Sequence, residues 1–128
     1  MKILGNGVDI IENRRIKKSI TNKKFVTRIY SKSEINDSKK VKNKDAFFAK
    51  RFAAKEAFVK AIGTGFRNGI NFNDISVKRI KLGKPKIHLT KKIKKIIKDK
   101  FRLSNFKIFL SLSDEKKHSI AYVVISKY

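Results

Sequence analysis

The stretch Ala46 to Ile62 constrains this chain more than any other part of it. It runs without glycine or proline, is rich in alanine and phenylalanine, and stops at Gly63, the residue type that ends helices in a left-handed cap. The pattern predicts a long central helix with Asp45 at its N-cap. On a helical wheel of about 100° per residue, Phe47, Phe48, Phe52, Phe58, Val59 and Ile62 occupy one broad arc. Glu56 and Lys60 lie on the opposite side beside Ala49 and Ala53, where small residues leave room for something bulky. Arg51 and Lys55 fall inside the apolar arc. A charge there is costly unless paired, so both require a buried partner or a neighbouring subunit.

Around this helix the periodicity is mixed. Ile3 to Ile11 is aliphatic and glycine-rich, with Val8 and Ile10 on alternate positions around Asp9, and predicts a strand running into a short basic helix from Glu12 to Ile20, buried along Ile16 and Ile20. Phe25, Val26 and Ile29 predict another helical turn, Ser31 and Glu34 have capping-box spacing, and Asn36 to Lys44 reads as an exposed loop. After the glycine-rich turn Gly63 to Gly69, strands over Ile75 to Ile80 and Lys86 to Leu89 flank a Leu82-Gly83-Lys84-Pro85 hairpin turn. Thr90 can cap a basic amphipathic helix whose apolar positions are Ile93, Ile96, Ile97 and Phe101. Strands over Phe106 to Ser113 and His118 to Ser126 then flank a turn at Asp114 to Lys117. With no repeat and no linker, residues 1–128 read as a single α+β domain, a mostly antiparallel sheet with a long central helix.

The absence of cysteine excludes disulfides, thiolate metal sites and thiol catalysis, and no apolar stretch is long enough to span a membrane; the expected setting is a reducing cytoplasm. Lys+Arg 34 against Asp+Glu 10 gives a formal net charge of +24, a field that draws nucleic acid, anionic lipid, phosphorylated small molecules or acidic proteins. The excess of lysine over arginine, with abundant isoleucine and asparagine, also fits biased codon composition. Against so few acids, Asp9 and Glu56 stand out, each in an apolar context. They fit either a shared Mg²⁺ or two separate salt bridges to lysines. Lys60, Arg51 and the Gly63 to Gly69 turn fit either a phosphate cradle or an ordinary helix end, and no Walker A pattern is present. His88 and His118 lack ligand-like spacing, and Lys91, Lys92, Lys94, Lys95 and Lys98 read as a solvated helix face.

Taken in order, the motifs resemble a known family. Gly5-Asn6-Gly7-Val8-Asp9-Ile10-Ile11-Glu12 is similar to the N-terminal block of the small bacterial 4′-phosphopantetheinyl transferases, the holo-(acyl-carrier-protein) synthases. Lys50-Arg51-Phe52-Ala53-Ala54-Lys55-Glu56-Ala57-Phe58-Val59-Lys60-Ala61-Ile62-Gly63-Thr64-Gly65 resembles that family's central helix almost letter for letter. Arg67-Asn68-Gly69, Leu82-Gly83-Lys84-Pro85 and Ser111-Leu112-Ser113 follow in family order. The resemblance implies transfer of 4′-phosphopantetheine from coenzyme A to a serine of apo-acyl carrier protein, in support of fatty acid biosynthesis. It implies Mg²⁺ on Asp9 and Glu56, with Lys60, Gly63, Thr64 and Gly65 at the phosphates, Arg51 at the nucleotide end and Lys84 and Pro85 at the adenosine. It further implies carrier docking on Arg14, Arg15, Lys18, Lys24 and Arg28, and a homotrimer with coenzyme A bound where two subunits meet. Many relatives carry histidine where this chain has Asp114, read here as a turn residue. A basic nucleic-acid-binding module is the rival reading, but no RNA- or DNA-binding motif accompanies the charge, so neither nucleic acid nor membrane is expected as a partner.

Overall fold

A computed structural model describes residues 1–67, 69–80 and 83–128. The middle of the Arg67-Asn68-Gly69 motif and the start of the expected Leu82 to Pro85 turn lie outside the described residues. The elements are β1 (Lys2–Glu12), α1 (Asn13–Ser19), α2 (Lys23–Ile29), α3 (Lys32–Ser38), α4 (Lys44–Ile62), β2 (Ile75–Arg79), β3 (Pro85–Leu89), α5 (Lys91–Phe101), β4 (Phe106–Asp114) and β5 (His118–Lys127), with a 3₁₀ turn at Phe72–Asp74. Strands β1, β5 and β4 form an antiparallel sheet in that order, and β2 and β3 form a separate hairpin. This is the α+β architecture expected, with α4 at its centre.

The close approach of α4 to β1 decides the arrangement. A Cβ at Gly5 would stand 2.0 Å from the Ala61 carbonyl oxygen, and one at Gly7 would stand 2.0 Å from that of Ala57. Only glycine lets the helix settle this deeply on the strand. On the helix side Ala49, Ala53 and Ala57 are fully buried. The small residues beside Glu56 therefore make room for the sheet, not for a ligand, which corrects the reading of that face.

Other boundaries shift for local reasons. Asn43, not Asp45, caps α4 by accepting a bond from the Ala46 N–H at 3.1 Å, and Asp45 sits in the first turn where the helix dipole favours an acid. Ser31 and Glu34 form the full capping box and start α3, which takes up residues expected to be loop. Thr90 stands at the N-cap of α5 without a side-chain bond. Asp114 is not a free turn residue: it ends β4, pairs with Ser119 in the ladder, and holds Lys50 at 3.2 Å. On β5, Ala121, Val123 and Ile125 are buried against α4, while Ile120 and Tyr122 face outward and remain partly exposed. Among the described residues no helix is long and apolar enough to cross a membrane.

Candidate active site

Because β1 alternates, the face that carries Gly5 and Gly7 also carries Asp9, and the glycine contacts bring that carboxylate beside the polar edge of α4. There Lys60 Nζ donates to Asp9 Oδ1 at 3.2 Å and to the Val8 carbonyl at 3.0 Å. Glu56, one helical turn before Lys60, is half-buried close by. Partial burial raises the Asp9 carboxyl above its ordinary value, against the pull of Lys60 and Arg15. Glu56 is raised by burial first and by the Asp9 charge second, with Lys60 opposing. Two carboxylates thus lie near one another with one directly bonded cation, an arrangement short of positive charge. Three residues beyond Lys60, Gly63 ends α4 in the left-handed conformation, and Thr64 and Gly65 follow it in the turn.

Asp9, Glu56 and Lys60 are therefore brought together on the C-terminal half of α4, which the Gly63-Thr64-Gly65 turn follows directly. Arg51 and the Lys84-Pro85 pair are not. Arg51 is 2% exposed on another face of the helix, with its guanidinium stacked 3.5 Å above the Phe47 ring, one bond to the Phe47 carbonyl at 3.3 Å, and Nε without a partner among the described residues. Burial lowers its pKa to about 10. It borders a cavity of about 450 Å³ that also touches Lys40, Lys50, Arg79, Asp37 and Asp114, a lining in which cations outnumber acids. Lys84 and Pro85 border a separate open groove of about 910 Å³ between the hairpin, α5 and β4. Arg14, Arg15, Lys18, Lys24 and Arg28 are all exposed on α1 and α2.

Lys55, the other charge inside the apolar arc, finds its partner within the chain. Its ammonium lies 2.6 Å from Glu34, and both side chains are fully buried. Sequence reasoning missed this pairing, the steric role of Gly5 and Gly7, and the Lys50–Asp114 ion pair. The glycines had a legible signal, since two of them one strand period apart match a helix with small residues at 53, 57 and 61.

The comparisons agree with one another across the whole chain. Residues 5–123 match the 4′-phosphopantetheinyl transferase superfamily. The chain is 61% identical over 127 residues to a holo-(acyl-carrier-protein) synthase of Pelagibacter ubique, covering 99% of both, and 44% identical over 128 residues to that of Zymomonas mobilis, covering 96% of both. Among solved structures it is similar to the Neisseria meningitidis holo-(acyl-carrier-protein) synthase, with a TM-score of 0.87 and 35% identity over 98% of this chain and 99% of that one. It is equally similar in sequence, 35%, to the Bacillus anthracis enzyme solved with coenzyme A (3′,5′-ADP), with a TM-score of 0.82 and full coverage of both chains. Fold and family likeness thus define a group-transfer enzyme. The chain belongs to the 4′-phosphopantetheinyl transferase superfamily, among its holo-(acyl-carrier-protein) synthases.

Proposed function

We infer that this chain transfers 4′-phosphopantetheine from coenzyme A to a serine of apo-acyl carrier protein, and that Asp9, Glu56 and Lys60 carry the reaction. The observation that supports this most is the cluster itself: two half-buried carboxylates with raised pKa and one lysine, at the head of a glycine turn. The carrier hydroxyl attacks the β-phosphorus of coenzyme A, the P–O bond of the pyrophosphate breaks, and adenosine 3′,5′-bisphosphate leaves. Such chemistry depends on positioning and charge neutralisation more than on covalent help. Glu56, with its raised pKa, is suited to take the serine proton. Lys60 and the Gly63, Thr64 and Gly65 turn are suited to hold phosphate oxygens.

The donor set fits Mg²⁺. Asp9 and Glu56 offer two hard oxygens, and no group of three or more His, Cys, Asp or Glu side chains suited to a metal occurs among the described residues. An ion that takes one or two carboxylates and completes its shell with water and phosphate suits that set. Bound there, Mg²⁺ would neutralise the pyrophosphate charge.

Arg51 and the Lys84-Pro85 turn, which lie away from this cluster in one chain, join the reading through a homotrimer. The cationic cavity at Arg51 would receive the nucleotide end of coenzyme A held by a neighbour's Asp9 and Glu56, and Lys84 and Pro85 would border the adenosine. The outward sheet face supports it: Val8, Ile10, Phe109, Ile120 and Tyr122 stay 37% to 63% exposed, more apolar surface than one small chain hides alone. Exposed Arg14, Arg15, Lys18, Lys24 and Arg28 would dock the acidic carrier protein. Mass spectrometry of apo-carrier protein incubated with this chain, coenzyme A and Mg²⁺ tests the reading, alongside light scattering of the same preparation. The carrier should gain one phosphopantetheine, and the active species should weigh three times 14.8 kDa. A carrier left unmodified, or full activity at the mass of one chain, would count against it.

A further inference from the structure

The chain after α4 turns on glycines in the left-handed region. Gly63, Gly65 and Gly69 have φ of +77°, +62° and +82°, conformations that glycine adopts without cost but also leaves easily. Among the described residues its own bonds are sparse: the Gly63 N–H closes α4, Thr64 Oγ1 donates to the Gly65 carbonyl at 2.9 Å, and the Ile70 N–H donates to the Arg67 carbonyl at 3.2 Å. A loop that must present N–H groups to an anion needs a firmer hold.

Phe66 supplies it. Its ring stacks on Phe72 with centroids 3.6 Å apart and planes 14° from parallel. Phe72 stacks in turn on Phe52 of α4 at 5.5 Å and 20°, and Phe52 on Phe25 of α2 at 6.5 Å and 24°. Phe72 itself is tied down by its own turn. The Phe72 carbonyl accepts a bond from the buried Lys55 ammonium at 3.0 Å. Asp74, in the same 3₁₀ turn, accepts from the Asn71 N–H at 3.3 Å and pairs with Lys92 at 2.9 Å. A fixed aromatic platform therefore reaches into a glycine loop through one side chain.

We propose that Phe66 is a positioning residue, which by stacking on Phe72 holds Thr64 and Gly65 where their backbone N–H groups meet a phosphate of coenzyme A. This rests on the assignment of the turn to those phosphates. Calorimetric titration with coenzyme A tests it in the full-length protein. Phe66→Ala should weaken binding about tenfold, because the stacking contact and the loop geometry go together. Its melting temperature should move by only a few degrees, since the ring is only partly buried, at the margin of the core. Phe66→Leu keeps most of the apolar bulk without the flat ring and should behave like Phe66→Ala, whereas Phe66→Tyr should bind as the parent does. Wild-type affinity in Phe66→Leu overturns the proposal, and that variant decides the matter even if Phe66→Ala fails to fold. Gly65→Val distinguishes the underlying assignment: it strains the turn directly at φ +62°, although no atom lies within 4 Å of a Cβ there. If it leaves coenzyme A binding intact, the turn does not hold the phosphates. If it weakens binding while both Phe66→Ala and Phe66→Leu do not, the turn stands and only the aromatic anchor falls.

Discussion

Helix α4 carries two sets of acid and base within a few residues of each other, and they are built oppositely. Lys55 and Glu34 are fully buried and saturated: the ammonium also donates to the carbonyls of Ile29, Phe72 and Ile75, and the carboxylate accepts from the N–H groups of Ser31 and Val77. Glu56, the very next residue, and Asp9 are half-exposed, raised in pKa, and share the single ammonium of Lys60. Neither set is explained by residue type, since both consist of lysine and carboxylate. What separates them is satisfaction. A saturated buried pair fixes geometry, whereas an undersupplied one keeps affinity for something that is not yet there.

Breaking the saturated set should have the largest effect. Lys55→Met strands a buried carboxylate and should cost roughly 3–5 kcal/mol in urea unfolding. For many buried pairs, replacing both partners with apolar residues restores stability. Here the double variant Glu34→Met, Lys55→Met should remain close to the single one, because five backbone groups lose their partners, each worth about 1–3 kcal/mol when left unsatisfied. A double variant as stable as the parent would show that the pair holds no backbone.

The undersupplied set should respond in the other direction. Asp9→Asn or Glu56→Gln should cut transfer by at least about a hundredfold, as expected when developing charge loses its stabiliser. Without divalent ions, each should nevertheless raise the melting temperature near neutral pH, by removing a charge whose burial is costly and, at Glu56, the repulsion from Asp9 as well. The sign follows from the raised pKa values. The folded state binds these protons more tightly than the unfolded one, so ionisation costs stability. That cost is fully present above the raised folded-state pKa values and disappears as pH falls toward the ordinary carboxylate range. Added Mg²⁺ should stabilise the parent and leave both variants unmoved. Thermal melts across pH, with and without Mg²⁺, check this, and variants less stable than the parent at neutral pH would show that the two carboxylates are structural.

The same contrast marks how far the sequence could be read. Element order and type followed from periodicity and capping: α4 stops at Gly63, and Ser31 with Glu34 starts α3. Asp9 and Glu56 were legible because a carboxylate among aliphatics is anomalous wherever it ends up. Their pairing with Lys60 was not, since Lys60 is one of 34 basic residues and only the Gly5 and Gly7 contacts select it. Lys55 was visible as a charge in the wrong place, but its partner lies 21 residues away, and Glu34 was legible only as a capping residue. Arg51 was visible for the same reason, and among the described residues its direct contacts are the Phe47 ring and the Phe47 carbonyl, not a carboxylate. Spacing shows which residues are in difficulty, and only the fold shows how each difficulty is resolved.

The smallest expected effect separates binding of the carrier from the chemistry. Arg14, Arg15, Lys18, Lys24 and Arg28 are all exposed on α1 and α2, but they are not equivalent, because the charge of Arg15 reaches Asp9 and opposes the rise of its pKa. Reversing Lys18 and Lys24 to glutamate should therefore raise the KM for carrier protein about tenfold, leave that for coenzyme A nearly unchanged, and flatten the dependence of the rate on salt. Arg15→Glu should do the same and also lower kcat, since a negative charge near Asp9 adds to a site already short of positive charge. Steady-state kinetics with both substrates varied at two ionic strengths distinguish these variants. If Lys18→Glu, Lys24→Glu affected both KM values equally, α1 and α2 would support the fold and not the carrier. If Arg15→Glu changed only the carrier KM, the field of Arg15 would end at the docking surface, and Asp9 would answer to Lys60 alone.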